Sequence, residues 1–213
     1  MIVTVSGRNI DRHERLMDRA FQLRHAIFVE EKGWSDLRQA DGRERDRFDD
    51  IYAIHHVCQR DDKVVGYQRL LPTTRPHLLS HILNDMCRQK PPSGSRVFEW
   101  TRFCVARGYR EMHPRAGGPF LELAQGVVEW SMAHDVDTVI AAIDWRLMII
   151  AMQLRFFVQP LGFPKRIGKD EVVALTMSFN KETLSMIQRA RNSDASVFDG
   201  MSLASAAEAA RIS

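Results

Sequence analysis

The chain has 213 residues, 45% of them hydrophobic, and 30 basic against 27 acidic residues give a formal charge of +3. That length buries a sizeable core in one domain, and so mixed a surface is not the polybasic one that nucleic acid calls for, so no nucleic-acid partner is expected. Cys58, Cys87 and Cys104 are too widely spaced for a disulfide framework or a zinc site, which makes a reducing, cytoplasmic location the expectation.

The opening run MIVTV is too short for a signal-peptide core, and no later apolar run reaches membrane-spanning length, so no membrane partner is expected either. Residues 2 to 5 read as a short strand. Leu16, Ala20, Leu23 and Ile27 then recur at helical spacing and predict a helix over residues 12 to 28, with Arg24 and Phe28 as i, i+4 neighbours near its end. The stretch EEKGWSDLRQADGRERDRFDD is dense in charge and long for a connection, which marks it as functional or mobile. IYAIHHVCQ and KVVGYQRLL form a hairpin across RDD, PTTRP breaks the second strand, and HLLSHILNDMC reads as a short helix. RVFEWTRFCV is the next strand. Phe120, Leu123, Ala124, Val127 and Val128 mark an amphipathic helix to about His134, followed by the strand DTVIAAI and a helix over 145 to 156. FFVQPLGFPKRI and EVVALTMSFN are expected as strands, and the chain from 181 starts as a helix and ends in a fraying tail. The expected fold class is α/β: a mixed, mainly antiparallel central sheet flanked by helices in a three-layer sandwich, with parallel pairing in the C-terminal half. One domain spans 1 to 192, and 193 to 213 form the tail.

FEWTRFCV, residues 98 to 105, carries Glu99 and Arg102 inside an apolar run, and in a regular strand charges three apart face opposite ways. For both to serve one site the alternation must slip by one, which a β-bulge near Trp100 and Thr101 would do. The plainest account of these charges is an ion-pair network joining Arg69 and Arg102 to Asp46, Asp49 and Glu99. His77 and His81, i and i+4, match half of a metal site without a third ligand, so no metal is expected. His55 and His56 adjoin in a strand and face opposite ways, as packing residues do. RAGG at 115 to 118 is a weak candidate for backbone contact with a phosphate.

Arg24, Phe28, Trp34, Asp46, Asp49, Arg69, Glu99 and Arg102 lie in LRHAIFVEEKGW, DRFDD, GYQRLLPTTRPHLL and FEWTRF. Their order and spacing resemble the LuxI-type autoinducer synthases, the acyl-homoserine-lactone synthases of bacterial quorum sensing. The likeness is strong over residues 20 to 105 and continues in element order and in FFVQPLGFP. Thr101 stands where the family often has serine, and the segment from Arg155 to Phe157 departs from its commonest form.

The resemblance implies a fold like that of the GCN5-related N-acetyltransferases. It also implies a reaction in which the amine of S-adenosylmethionine is acylated by an acyl thioester, then lactonised with release of methylthioadenosine. No cofactor is implied beyond these substrates. Glu99 is the expected general base, since an ammonium must lose a proton before it attacks. Arg24, Phe28, Trp34, Asp46, Asp49, Arg69, Arg102 and Phe103 are the expected S-adenosylmethionine site, with acidic groups toward the sulfonium, arginines toward the carboxylate or their acidic neighbours, and aromatics over adenine or sulfonium. The acyl pocket is expected between the Glu99 strand and DTVIAAI, lined by Phe103, Val105, Ile140, Ala142 and Met148 beside Trp145. The branch resembled takes short branched or aromatic acyl groups from coenzyme A. An acyl carrier protein is the competing donor, for which Arg110, Arg115, Lys165, Arg166 and Lys169 offer either a docking face or a merely solvated one. Two readings compete: an N-acyltransferase for another amine, which ARGYREMHPRAGG fits poorly as a pyrophosphate loop, and a non-catalytic sensor, which the presence of Glu99 disfavours.

Overall fold

Asp61 and Asp62, at φ 45° and 60°, make the tight two-residue turn that the right-handed twist of a hairpin favours. It joins β2 (Ile54–Arg60) to β3 (Lys63–Pro72). The computed structural model describes residues 1–110 and 118–198; Arg115, RAGG up to Gly117 and the tail beyond Phe198 lie outside them. β1 (Ile2–Val5) pairs antiparallel with β2, and β3 pairs antiparallel with β4 (Val97–Val105). α4 (Pro119–Ala133), which starts with proline at its first turn, carries the chain across to β5 (Thr138–Asp144), parallel to β4. The remaining strands are β6 (Phe157–Pro160), β7 (Lys165–Ile167) and β8 (Asp170–Ser178). The sheet runs β1-β2-β3-β4-β5-β8-β6, with β7 also paired to β8, so the last strand sits between two earlier ones.

FFVQPLGFPKRI is therefore two strands and not one. The break lies at 161 to 164, where a Cβ on Gly162 would fall 2.1 Å from the Met86 carbonyl oxygen. The long helix expected from residue 12 also divides. α1 (Glu14–Arg24) passes into a wider π-type turn, His25–Glu31, closed by Lys32 N–H donating to Ile27 O. The short helix after PTTRP is a single turn, α2 (Leu78–His81), followed by a 3-10 turn, Asn84–Met86. α3 (Arg107–Arg110) follows β4, and α5 (Trp145–Gln153) follows β5. α6 (Lys181–Arg191) begins at Asn180, whose side chain accepts from Glu182 and Thr183 N–H, and stops at Asn192 in the left-handed region.

Two faces of the sheet bury different cargo. Against α4 and α6 lies the larger core, with Trp130, Leu123, Val127, Val139 and Leu175 almost fully enclosed. The opposite face carries α1, the 25 to 37 segment and the α2 turn, and with them the cluster of Arg24, Arg69 and Arg102. Residues 193 to 198, expected to belong to a loose tail, are held on the α4 side: Ile2 N–H donates to Val197 O, Glu129 accepts from Ser196 and Val197, and Phe198 packs 5.1 Å from His56.

Candidate active site

The β4 strand slips where a charge needs it to. Thr101 pairs with Arg69 and Cys104 with Tyr67, so β4 spends one more residue than β3 over this span. The extra residue falls at Arg102 and Phe103, two residues beyond the expected Trp100 and Thr101, and Arg102 takes φ 55°. A non-glycine residue there costs about 1–2 kcal/mol of backbone strain. The strain turns Arg102 onto the face of Glu99, Thr101 and Arg69.

Three arginines and three carboxylates meet on that face. Arg24 donates Nε to Glu44 at 2.6 Å and both Nη atoms to Asp49 at 2.7 and 3.0 Å. Arg69 bridges Asp46 and Asp49 at 2.7 and 2.6 Å, and its Nε reaches Thr101 Oγ1 at 3.1 Å, a bond that a serine hydroxyl could also accept. Arg102 completes the ring, to Glu44 at 3.1 Å and Asp46 at 2.8 Å. The local sequence holds the acids in place. Phe48 is buried beside Ala53 and Leu71, Phe48 N–H donates to Asp46, Asp46 N–H donates to Asp49, and Glu44 N–H donates to Phe21 O at the end of α1. Burial alone would raise the Asp49 carboxyl, yet the charges of Arg69 and Arg24 outweigh it and hold it far below the carboxylate range. Asp46 and Glu44 are lowered by the same balance, burial opposed by Arg69 for Asp46 and by Arg102 and Arg24 for Glu44.

Glu44 escaped the sequence reading because exposed-looking arginines flank it. The available signal was its i, i+2 spacing to Asp46, which aims both side chains the same way along extended chain. Glu99, expected in the network, stands outside it. Its two oxygens accept N–H from Leu78 at 2.8 Å and Leu79 at 2.7 Å, at the start of α2.

The π-type turn places the aromatic pair. Phe28 stacks on Trp34 with centroids 5.2 Å apart and planes 20° off parallel, and Arg102 lies 5.6 Å over Phe28. Trp34 reaches the turn at Gly168, and Lys32 pairs with Asp170 at 2.6 Å, so this segment spans from the charged cluster to the β7–β8 hairpin.

Phe103, expected with the S-adenosylmethionine set, lies elsewhere. The extra residue at the bulge leaves it on the α4 face, 5.5 Å from Trp100 and 5.1 Å from Phe120. The expected acyl-pocket residues likewise do not gather into one cavity. Val105 and Met148 belong to the α4-side core, whereas Ile140 and Ala142 pack with Leu79 and Val172 on the Glu99 face, as alternation along β5 requires. Trp145 is 40% exposed at the start of α5. What lies at the opening between the strands is a set of aromatics, Trp100, Phe103, Phe120 and Phe156, of which only Phe103 was expected there. The opening is real: β4 and β5 pair only from Val97–Thr138 to Glu99–Ile140. Of the basic residues weighed as a docking face, Arg110 is paired with Glu31 and Lys165 with Asp85.

The family model described as "Autoinducer synthase" matches residues 8–187. The chain belongs to the autoinducer synthase family. Among relatives of these synthases, the isovaleryl-homoserine lactone synthase of Bradyrhizobium diazoefficiens is 31% identical over 188 residues, which is 88% of this chain and 84% of that one. A solved structure of a CoA-dependent acyl-homoserine lactone synthase, BjaI, with SAM and isopentyl-CoA, superposes with a TM-score of 0.84 at 30% identity, covering 92% of this chain and 90% of that one. The fold alone is shared with an N-acetyltransferase structure from Lactobacillus plantarum, at a TM-score of 0.55 and 19% identity over 84% of this chain and 98% of that one. For this autoinducer synthase, among the described residues, no helix is long and apolar enough to cross a membrane.

Proposed function

We propose that the enzyme acylates the α-amine of S-adenosylmethionine from an acyl-CoA and closes the product to an acyl-homoserine lactone, releasing methylthioadenosine. One observation carries this reading. Three positive and three negative groups cancel inside the cluster, and its least covered members, Asp46 at 14% and Arg102 at 7% side-chain exposure, are of opposite sign beside the Phe28–Trp34 stack. A substrate bearing a sulfonium and a carboxylate finds both partners at that edge, with aromatic faces for the cation and the adenine.

Glu99, on the same face of β4, takes the ammonium proton directly or through one water. The freed amine attacks the thioester carbonyl in the gap between β4 and β5, where diverging backbone N–H groups face the developing oxyanion, and the thiolate leaves. The methionine carboxylate then attacks its own γ-carbon; the carbon–sulfur bond breaks and methylthioadenosine departs. Holding these groups in line is most of the work, because thioester and sulfonium are both activated.

The aromatic wall of Trp100, Phe103, Phe120 and Phe156 suits a compact branched or aryl acyl group better than a long straight chain. The isovaleryl relative and the CoA-dependent one support the same choice of donor. A cytoplasmic location belongs to the proposal: both substrates are made there, and the cysteines are free thiols, with Cys58 and Cys104 pushed up to about 12, chiefly by burial.

Purified protein with S-adenosylmethionine and a panel of acyl-CoAs and acyl carrier protein thioesters should give methylthioadenosine and an acyl-homoserine lactone by mass spectrometry, best with short branched or aryl CoAs. No lactone from any donor would overturn the synthase reading, and product only from carrier-protein thioesters would overturn the donor. Glu99→Gln should lower acylation about 100-fold or more with folding intact; unchanged turnover removes Glu99 as the base.

A further inference from the structure

Glu99 is buried, at 1% exposure, with an oxygen on each of two backbone N–H groups. If it is the base, every turnover loads a proton onto a carboxylate that solvent does not reach. The side chain against it is His77, itself 2% exposed, with Nδ1 3.4 Å from Glu99 Oε1. That nitrogen has no hydrogen-bond partner, an uncommon state for a buried polar atom. The backbone that carries the ring is held at the start of α2: His77 backbone N–H donates to Ser80 Oγ at 3.0 Å, and Ser80 Oγ donates back to His77 O at 3.0 Å.

We propose that His77 is a proton relay for Glu99, a role that rests on Glu99 being the base. The N–H bond of the substrate ammonium breaks as an O–H bond forms on Glu99. That O–H then breaks as N–H forms at His77 Nδ1, leaving a carboxylate and an imidazolium, and the imidazolium returns its proton to solvent as products leave. For this the resting imidazole carries its hydrogen on Nε2. The separation is a few tenths of an ångström beyond a good hydrogen bond, as catalytic contacts are before substrate closes them. The other titratable groups around the pair are Cys87, whose thiol is raised by burial and by the charges of Glu99 and Asp85; Asp85, which pairs with Lys165; and His81, which bonds Ser80. None of these contacts occupies Nδ1.

The test compares the full-length wild-type enzyme with His77→Asn, His77→Gln and Glu99→Gln. The relay predicts that each His77 variant loses about 10- to 100-fold in kcat with little change in KM for S-adenosylmethionine. It also moves the acid limb of the kcat/KM profile, because one of the two proton carriers is gone. A purely structural histidine would lower the melting temperature without moving that limb. His77 variants with the wild-type pH profile and turnover overturn the relay. If Glu99→Gln is inactive while those results are negative, only the relay fails; if Glu99→Gln is fully active, the base assignment fails with it.

Discussion

Arg24 and Arg69 are buried completely, yet each finds carboxylates on more than one side. Such a ring adds little net stability over an apolar core, but breaking it is costly, because the charge left behind has no water. Glu44 is the sharpest case: at 0% exposure it is shared by Arg24 and Arg102. Glu44→Gln should destabilise the fold by about 3–5 kcal/mol in urea unfolding, and a loss below about 1 kcal/mol would show that the ring relaxes around it. Most of this ring could be read from the sequence, because arginines and aspartates in apolar company demand partners. The partner assignment could not. Glu99 was expected in the ring for its charge and is tied to α2 backbone instead, whereas Glu44, which was not singled out, lies at the centre. Phe103 was misplaced for one reason, a single extra residue upstream of it.

At the scale of elements, periodic patterns were legible and local departures from them were not. α4 and the β2–β3 hairpin follow from apolar spacing and a two-aspartate turn. The π-type turn after α1 hides because the apolar stripe through Ile27 and Phe28 continues across it. The bulge announced itself only as an electrostatic anomaly, and its position was off by two residues. The break between β6 and β7 comes from packing: the turn at Gly162 lies on the Met86 carbonyl, and Arg88 N–H donates to Leu161 O at 2.9 Å. A methyl group there has no room against backbone. Gly162→Ala should therefore push this turn from the 84 to 88 segment and cost about 1–3 kcal/mol, with faster amide exchange at Arg88 as the local sign. Unchanged exchange at Arg88 would mean that the two segments are not in register contact.

For the whole molecule, acid is the natural stress. His55 and His56 are buried on opposite faces of β2, and burial pushes both down to about 3. An unfolded histidine takes up its proton near pH 6.5, so between about 6.5 and 3 the unfolded chain binds protons that the folded chain refuses. Stability is then full above pH 6.5 and falls by about 1.4 kcal/mol per pH unit per histidine below it. The lowered carboxylates of Glu44, Asp46 and Asp49 add to the loss only once pH drops through the ordinary carboxylate range and on toward their folded values. Melting temperature should thus be level above pH 7 and decline from about pH 6, before any aspartate titrates; a level curve down to pH 5 would contradict neutral burial of the pair.

The overall strand order lies beyond local pattern, because nothing in EVVALTMSFN says that it inserts between two earlier strands. That insertion bears on how the chain is born. β6 and β7 have β8 as their partner, and β5 has little beyond its three-residue ladder with β4 until β8 arrives. During synthesis from the N-terminus, the left half of the sheet can close early, while three strands wait for residues 170 to 178 to leave the ribosome. A message cut short before that point yields a chain with half a finished sheet and three exposed edges, a natural substrate for chaperones and proteases.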